Sequence, residues 1–289
     1  MKKRIYVAVV YVAIAGLVVM QHHKVAASTL AVKAKTLTAV AQATPAQLTI
    51  KSSSPMRALS LVADLNAAGN NTGLSWAATV IDLNTGKEYD AGATTTIFKA
   101  ASTAKVLTAV DYLHEVEQGN ASLNQSISGV TATQLMKQMI EVSDNTAWAD
   151  LNNFLGAQEQ TYATGIGMSN FTGGDYFTMT ASDEAKLLAQ LAEGKLINTS
   201  DRAILYNFMA NTDSSNLIPA ALPSGTTIYH KYGELWGNLH DAAIVQYQGH
   251  DFVLVIYTNN GDGTMDDYNG QVQLIHDLAA TAYKDIENS

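Results

Sequence analysis

Apolar positions recur at Met56, Leu59, Leu61, Val62 and Leu65, and Gly69-Asn70-Asn71 ends the run, so this spacing predicts a helix over Met56 to Ala68. Ser75 to Leu83 is rich in β-forming residues, Asn84-Thr85-Gly86 supplies a turn, and Lys87 to Ala91 returns, which predicts a hairpin. From about Ser102 to Asn216 the spacing is helical again, through Val106, Leu107, Val110 and Leu113, then Leu135, Met139 and Ile140, then Leu187, Leu188 and Leu191. Three further strands, Thr226 to Tyr232, Ala242 to Tyr247 and Phe252 to Thr258, precede a last helix from about Met265 to Ile286. The order predicts an α/β structure: five strands flanked by the first and last helices, with the block of about 102 to 216 inserted as an all-helical second lobe. A cleft between the lobes is the expected place for a site.

The first residues follow a different pattern. Lys2-Lys3-Arg4 precedes an unbroken apolar run from Ile5 to Met20, then polar Gln21-His22-His23-Lys24 and the small residues Val25-Ala26-Ala27. The run falls short of the roughly 20 residues that span a bilayer comfortably. A cleaved signal peptide over 1–27 is therefore expected ahead of an uncleaved anchor. Ser28 to Pro55 is Ala, Thr, Lys, Ser and Gln with little periodicity, which reads as a flexible spacer or an extra amphipathic helix. The catalytic-size domain is then 56–289, exported and either secreted or held at the outer face of the cytoplasmic membrane, touching membrane only through the N-terminal segment.

Composition narrows the classes of partner. The net charge is −9, but every charge before Asp64 is positive, so from Leu59 onward the chain carries −17. A domain this acidic repels a phosphate backbone, and nucleic acid is not an expected partner. Cysteine is absent, which excludes disulfides and a lipid-modified cysteine, and no histidine spacing suits a metal, so neither metal nor cofactor is expected. A monomer is expected.

Three short motifs carry the candidate chemistry. Ser102-Thr103-Ala104-Lys105 opens the helix from Val106 to Gln118, and residues three apart on a helix share a face, so the serine and the lysine can be neighbours. A desolvated lysine can take the proton of a serine hydroxyl, and backbone N–H groups at a helix start can stabilise a developing oxyanion. By itself S-x-x-K is weak, since roughly one is expected by chance in a chain of this length. Ser143-Asp144-Asn145 is rarer, although either of its first two residues can simply cap the next helix. Lys231-Tyr232-Gly233 stands at the end of a predicted strand and is followed by Glu234.

In this order and on these elements, the motifs resemble the serine β-lactamase and penicillin-binding transpeptidase family, with its S-x-x-K, S-D-N and K-T-G signature, over roughly Met56 to the C-terminus. The likeness is strongest to the class A β-lactamase group. It implies a five-stranded antiparallel sheet beside the helical lobe. It also implies roles: Ser102 as nucleophile forming an acyl-enzyme, Lys105 as its activator, and Ser143 as proton shuttle to the leaving nitrogen. Asn145 is implied to hold the substrate amide, Lys231 to set positive charge near the substrate carboxylate, and the N–H groups of Ser102 and Glu234 to form the oxyanion hole, with Gly233 and Tyr232 beside them.

The chain departs from the family pattern at two places. Tyr232 stands where a small hydroxyl residue is usual, so His230 or His240-Asp241 are candidates to share its contact with substrate. No E-x-x-x-N motif lies between Leu155 and Thr180, and Glu141 with Asn145 match that spacing only by coincidence. The segment Gly165 to Thr180 also looks short. The expected activity is a serine hydrolase acting on a β-lactam or related amide. The alternatives are a D-alanyl-D-alanine carboxypeptidase or transpeptidase acting on a peptidoglycan stem peptide, and a non-catalytic envelope-binding domain.

Overall fold

The computed structural model describes residues 55–288 apart from 71, 175 and 265–267. The expected targeting segment, and the spacer up to residue 54, lie outside the described residues. Pro55 opens the first helix, α1 (Pro55–Gly69), a position where its missing N–H costs nothing.

Five strands form one antiparallel sheet: β1 (Ser75–Asp82), β2 (Lys87–Gly92), β3 (Thr227–Leu235), β4 (Asn238–Gln246) and β5 (Phe252–Asn259), in the spatial order β2-β1-β5-β4-β3. Two expectations about these strands need correction. Lys231-Tyr232-Gly233 does not end a strand, because β3 runs on to Leu235, and β4 begins at Asn238 rather than Ala242. The actual turn is Trp236-Gly237, both with positive φ (46° and 77°), a two-residue connection whose twist matches that of the flanking strands.

Between β2 and β3 lies the helical lobe, which is not helical throughout, because Ser126–Ile127 pairs with Val130–Thr131 and Phe98–Lys99 with Thr178–Met179 in short two-stranded sheets. A single 3₁₀ turn, Ala101–Ala104, leads into α2 (Lys105–Glu117), followed by α3 (Ala132–Glu141), α4 (Asn145–Leu155), α5 (Gln158–Gly165), α6 (Ala181–Ala192) and α7 (Thr199–Met209). Local sequence sets their starts. Thr131 with Gln134 and Thr180 with Asp183 make capping boxes for α3 and α6, and Asn198 caps α7. The short α8 (Ile218–Ala221) leads back to the sheet, and α9 (Asn269–Glu287) closes the chain.

Alternation along the strands divides the core in two. Ala78, Val80, Leu254 and Ile256 face α1 and α9, where they meet Leu61, Leu65, Leu274, Ile275 and Leu278. Ala77, Ile81, Val253, Val255 and Tyr257 face the helical lobe, where they meet the buried side of α2 and α6. The central strands are buried on both faces, which is why they read as apolar runs rather than alternating ones. Strand β3 is an edge of the sheet, and the 3₁₀ turn lies against it.

Candidate active site

The cleft is built where the start of α2, the start of α4 and the edge strand β3 converge. Ser102 sits half-buried in the 3₁₀ turn, directly after Ala101, whose φ of 52° is unusual for a residue with a side chain. Ser143 is likewise left-handed, at φ 58°, because the chain must reverse between α3 and α4. Asp144 is the cap of α4, its Oδ1 accepting from the N–H groups of Thr146 (2.7 Å) and Ala147 (3.0 Å). With Asp144 so employed, Ser143 and Asn145 are the members of the motif that reach Lys105.

Lys105 is buried, and its ammonium donates to Ser143 O (2.6 Å), Asn145 Oδ1 (2.7 Å) and Ser143 Oγ (3.3 Å). Its hydrogen bonds therefore tie α2 to the S-D-N segment, while Ser102 shares a cavity wall with it. Burial, reinforced by the charge of Lys231 and opposed by that of Asp144, lowers Lys105 from the ordinary lysine range to about 7. Lys231 has no exposed surface; it donates to Ser143 Oγ (3.1 Å) and to Tyr232 O (3.2 Å). Burial lowers it to about 8, against the opposing pull of Asp213, Asp241 and Glu184. Ser143 Oγ thus accepts from two lysines and keeps its own proton free to give away.

Strand geometry orients the other expected residues. Tyr232 O faces Lys231 on the cleft side, and along an antiparallel strand the backbone groups of alternate residues point the same way, so the Glu234 N–H also faces the cleft. Gly233 is buried where β3 crosses the 3₁₀ turn: a Cβ there would stand 2.7 Å from the Ser102 nitrogen and 2.8 Å from that of Thr103. Only glycine lets strand and turn approach so closely.

A cavity of about 270 Å³ is lined by Ala101, Ser102, Lys105, Asn145, Trp148, Tyr176, Phe177, Glu234 and Leu235. Of the expected residues, Ser143, Lys231 and Gly233 sit behind this wall rather than in it. Tyr232 is not in the wall either. Its ring packs toward the α1 and α9 side, with the Lys231 ammonium 4.2 Å from the ring centroid.

The histidines do not reach the cleft. His230 is buried between Asp241 Oδ1 (2.9 Å) and Thr212 Oγ1 (2.8 Å). His240 accepts at Nδ1 from the Thr258 N–H (3.0 Å), so its proton is on Nε2, which donates to Lys99 O (2.9 Å). Burial holds it neutral, at about 4. Both serve the packing of the sheet. Glu141 faces Lys137 on its own helix (3.8 Å).

Sequence reasoning missed the aromatic wall. Trp148 follows Asn145 by one helical turn and so shares its face, a signal that was available; its Nε1 donates to Thr108 Oγ1 (3.2 Å). Tyr176 and Phe177 belong to an irregular segment with no periodicity to read. The loop is tied down all the same, by Ala100 N to Phe177 O (2.9 Å) and by Gln160, which bonds Phe171 O (3.0 Å) and accepts from Gly173 N (2.8 Å). Among the described residues of the cavity wall, the acidic one is Glu234.

Comparison with known proteins gives a consistent picture. A model described as the beta-lactamase enzyme family matches residues 60–286. The β-lactamases OXY-2 and OXY-1 of Klebsiella oxytoca are each 26% identical over 197 residues, which is 55% of this chain and 68% of theirs. Among solved structures, a mutant of PBP-A in an acyl-enzyme complex with penicillin G superposes with a TM-score of 0.73 at 22% identity, covering 80% of this chain and 97% of that one. An ancestral class A β-lactamase of Gram-negative bacteria gives 0.71 at 21% identity, covering 78% and 99%. At these identities the solved structures establish the fold, which is the five-stranded β-lactamase-like arrangement expected.

Proposed function

Because the chain belongs to the beta-lactamase enzyme family, we propose that it is a β-lactamase-like serine hydrolase in which Ser102 forms an acyl-enzyme with a β-lactam or a related amide. The observation that carries this reading is the buried Lys105, lowered to about 7 beside Ser102 and bonded to Ser143. A binding module has no use for so costly a group.

In this reading neutral Lys105 takes the Ser102 proton as the serine oxygen attacks the carbonyl carbon. The developing oxyanion meets the N–H groups of Ser102 and Glu234. The proton travels from Lys105 through Ser143 Oγ to the leaving nitrogen as the amide bond breaks. Lys231, behind the cavity wall, holds Ser143 in place and sets positive charge near the substrate carboxylate, and Asn145 holds both Lys105 and the substrate amide. Water then cleaves the ester and restores Ser102. In this reading Glu234, the acidic residue of the described wall, serves through its N–H and not as a base for water, so deacylation goes without a general-base contribution typically worth roughly 10²–10⁴-fold.

That slow second step, with Trp148, Tyr176 and Phe177 lining the cavity, favours one other reading: a peptidase acting on peptidoglycan stem peptides with the same acylation chemistry. Either activity places the domain outside the cytoplasmic membrane, as the N-terminal segment leads one to expect. The test is intact-mass spectrometry of the full chain with a fluorescent penicillin, followed from seconds to hours. An adduct that forms and decays supports the hydrolase, and a lasting adduct supports the peptidase. Labelling that persists in Ser102→Ala overturns both.

A further inference from the structure

Behind the turn that carries Ser102 lies a carboxyl that the proposed chemistry does not use. Glu184, on α6, is fully buried, and its Oε2 is hydrogen-bonded to the Tyr257 hydroxyl of β5. That hydroxyl is also 3.2 Å from Thr103 Oγ1, and the Thr103 hydroxyl donates to Ala100 O at 2.7 Å. The chain of contacts from Glu184 through Tyr257 and Thr103 to Ala100 thus brackets Ser102, with Thr103 on one side of it and Ala100 on the other.

Counting protons shows what Glu184 contributes. Three hydrogen bonds link the four groups, but the two hydroxyls supply only two protons. With Glu184 ionised, Tyr257 donates to the carboxylate, and the single Thr103 proton must choose between Ala100 O and the Tyr257–Glu184 pair. With Glu184 protonated, Glu184 donates to Tyr257, Tyr257 to Thr103 and Thr103 to Ala100, so every bond is made. We propose that Glu184 is a positioning residue whose proton completes this brace and so fixes the turn that presents Ser102. The inference rests on Ser102 being the nucleophile.

The surroundings favour that protonated state without abolishing the other. Burial raises Glu184 to about 7, the hydroxyls of Tyr257 and Thr103 pull it down, Asp241 of β4 pushes it up, and Lys231 of β3 pulls it down. On the same helix, Asp183 is occupied by the Thr180 cap. His240, stacked on Tyr257 with ring centroids 4.2 Å apart, is neutral. From β1, Asp82 lies five residues along from Ala77, the partner of Tyr257, and caps the turn after its own strand. The brace is therefore complete in mildly acidic solution and loosens as pH rises through neutrality.

Glu184→Gln and Glu184→Met separate this role from packing. The glutamine amide donates to Tyr257 at every pH, whereas methionine fills the space and donates nothing. Initial rates of Ser102 labelling by fluorescent penicillin are measured on the full chain between about pH 6 and 9, per folded molecule as judged by circular dichroism. The rate ratio of Glu184→Gln to wild type, which cancels the titration of Lys105, is expected near one at pH 6 and to rise severalfold above pH 7. Above about 8 it turns down, since the carboxylate also supports the charge of Lys231. Glu184→Met is expected to label about tenfold more slowly than Glu184→Gln, the consequence of one missing hydrogen bond. Equal rates for glutamine and methionine, or a flat ratio across the range, overturn the inference while leaving Ser102 as nucleophile. A wild type that acquires no label overturns the proposed function and this role together.

Discussion

The two faces of the sheet are made of different materials. Against α1 and α9 the interior is apolar, with Leu65, Val80, Leu254, Ile256 and Leu278 at its centre, and its buried ionisable pair, His230 and Asp241, is mutually bonded. Against the helical lobe, Lys105, Lys231, Asp111, Glu159 and Glu184 are all buried, and each has its charged form disfavoured by loss of water. Buried charges without full pairing cost stability and gain reactivity, whereas apolar burial does the reverse. Both faces hold apolar clusters, but only the side toward the helical lobe also carries, among the described residues, these desolvated lysines and carboxyls, at a cost in stability.

The sharpest division should come from Lys105→Met. It is expected to slow labelling by about 10²–10⁴-fold, because the proton acceptor is gone, yet to leave the melting temperature unchanged or higher, since a desolvated ammonium has been removed. A large fall in melting temperature breaks the comparison. The converse is Leu278→Ala on α9, fully buried, which should cost about 2–5 kcal/mol in denaturant unfolding with the labelling rate per folded molecule unaltered.

A smaller effect is expected from pH. Glu159, which accepts from Thr108 Oγ1 at 2.6 Å, is raised to about 8 by burial, and Asp111 to about 6 by burial. Both folded-state values lie above the ordinary carboxylate range, so their contribution to stability is fully present at low pH and is lost as pH rises through about 6 and then about 8. Melting temperatures measured across that range should fall in wild type and fall less in Glu159→Gln. The smallest effect belongs to Asp144→Ala, which removes the α4 cap and should cost about 1 kcal/mol while Ser143 and Asn145 keep enough order to support labelling.

What was legible in the sequence follows the same division. Helical spacing and the Asn84-Thr85-Gly86 turn identify the sheet, its flanking helices and the inserted lobe, because burying one face of an element leaves a period. Ser102, Lys105, Ser143, Asn145 and Lys231 were legible as motifs, and the structure brings them together through hydrogen bonds at Ser143 and the shared cavity. The end of β3 was not legible, since Tyr232-Gly233-Glu234 looks like a turn, while the real turn puts Trp236, a bulky residue, at positive φ. Nor was the early start of β4, where His240 and Asp241 are polar residues buried by partners distant in sequence. Periodicity is also silent about Tyr176 and Phe177 in their irregular loop, where Phe177 O accepts from the Ala100 N–H and the Tyr176 ring packs on Trp236.

Gly233 carries one last consequence. An unpaired sheet edge invites other chains to add to it, and proteins protect such edges with a covering element. Here the cover over β3 is the turn holding Ser102, seated against Gly233. The cell's defence against aggregation and the proposed nucleophile share one segment of backbone, so substitutions that enlarge residue 233 should be found as insoluble protein before they are found as slow enzyme.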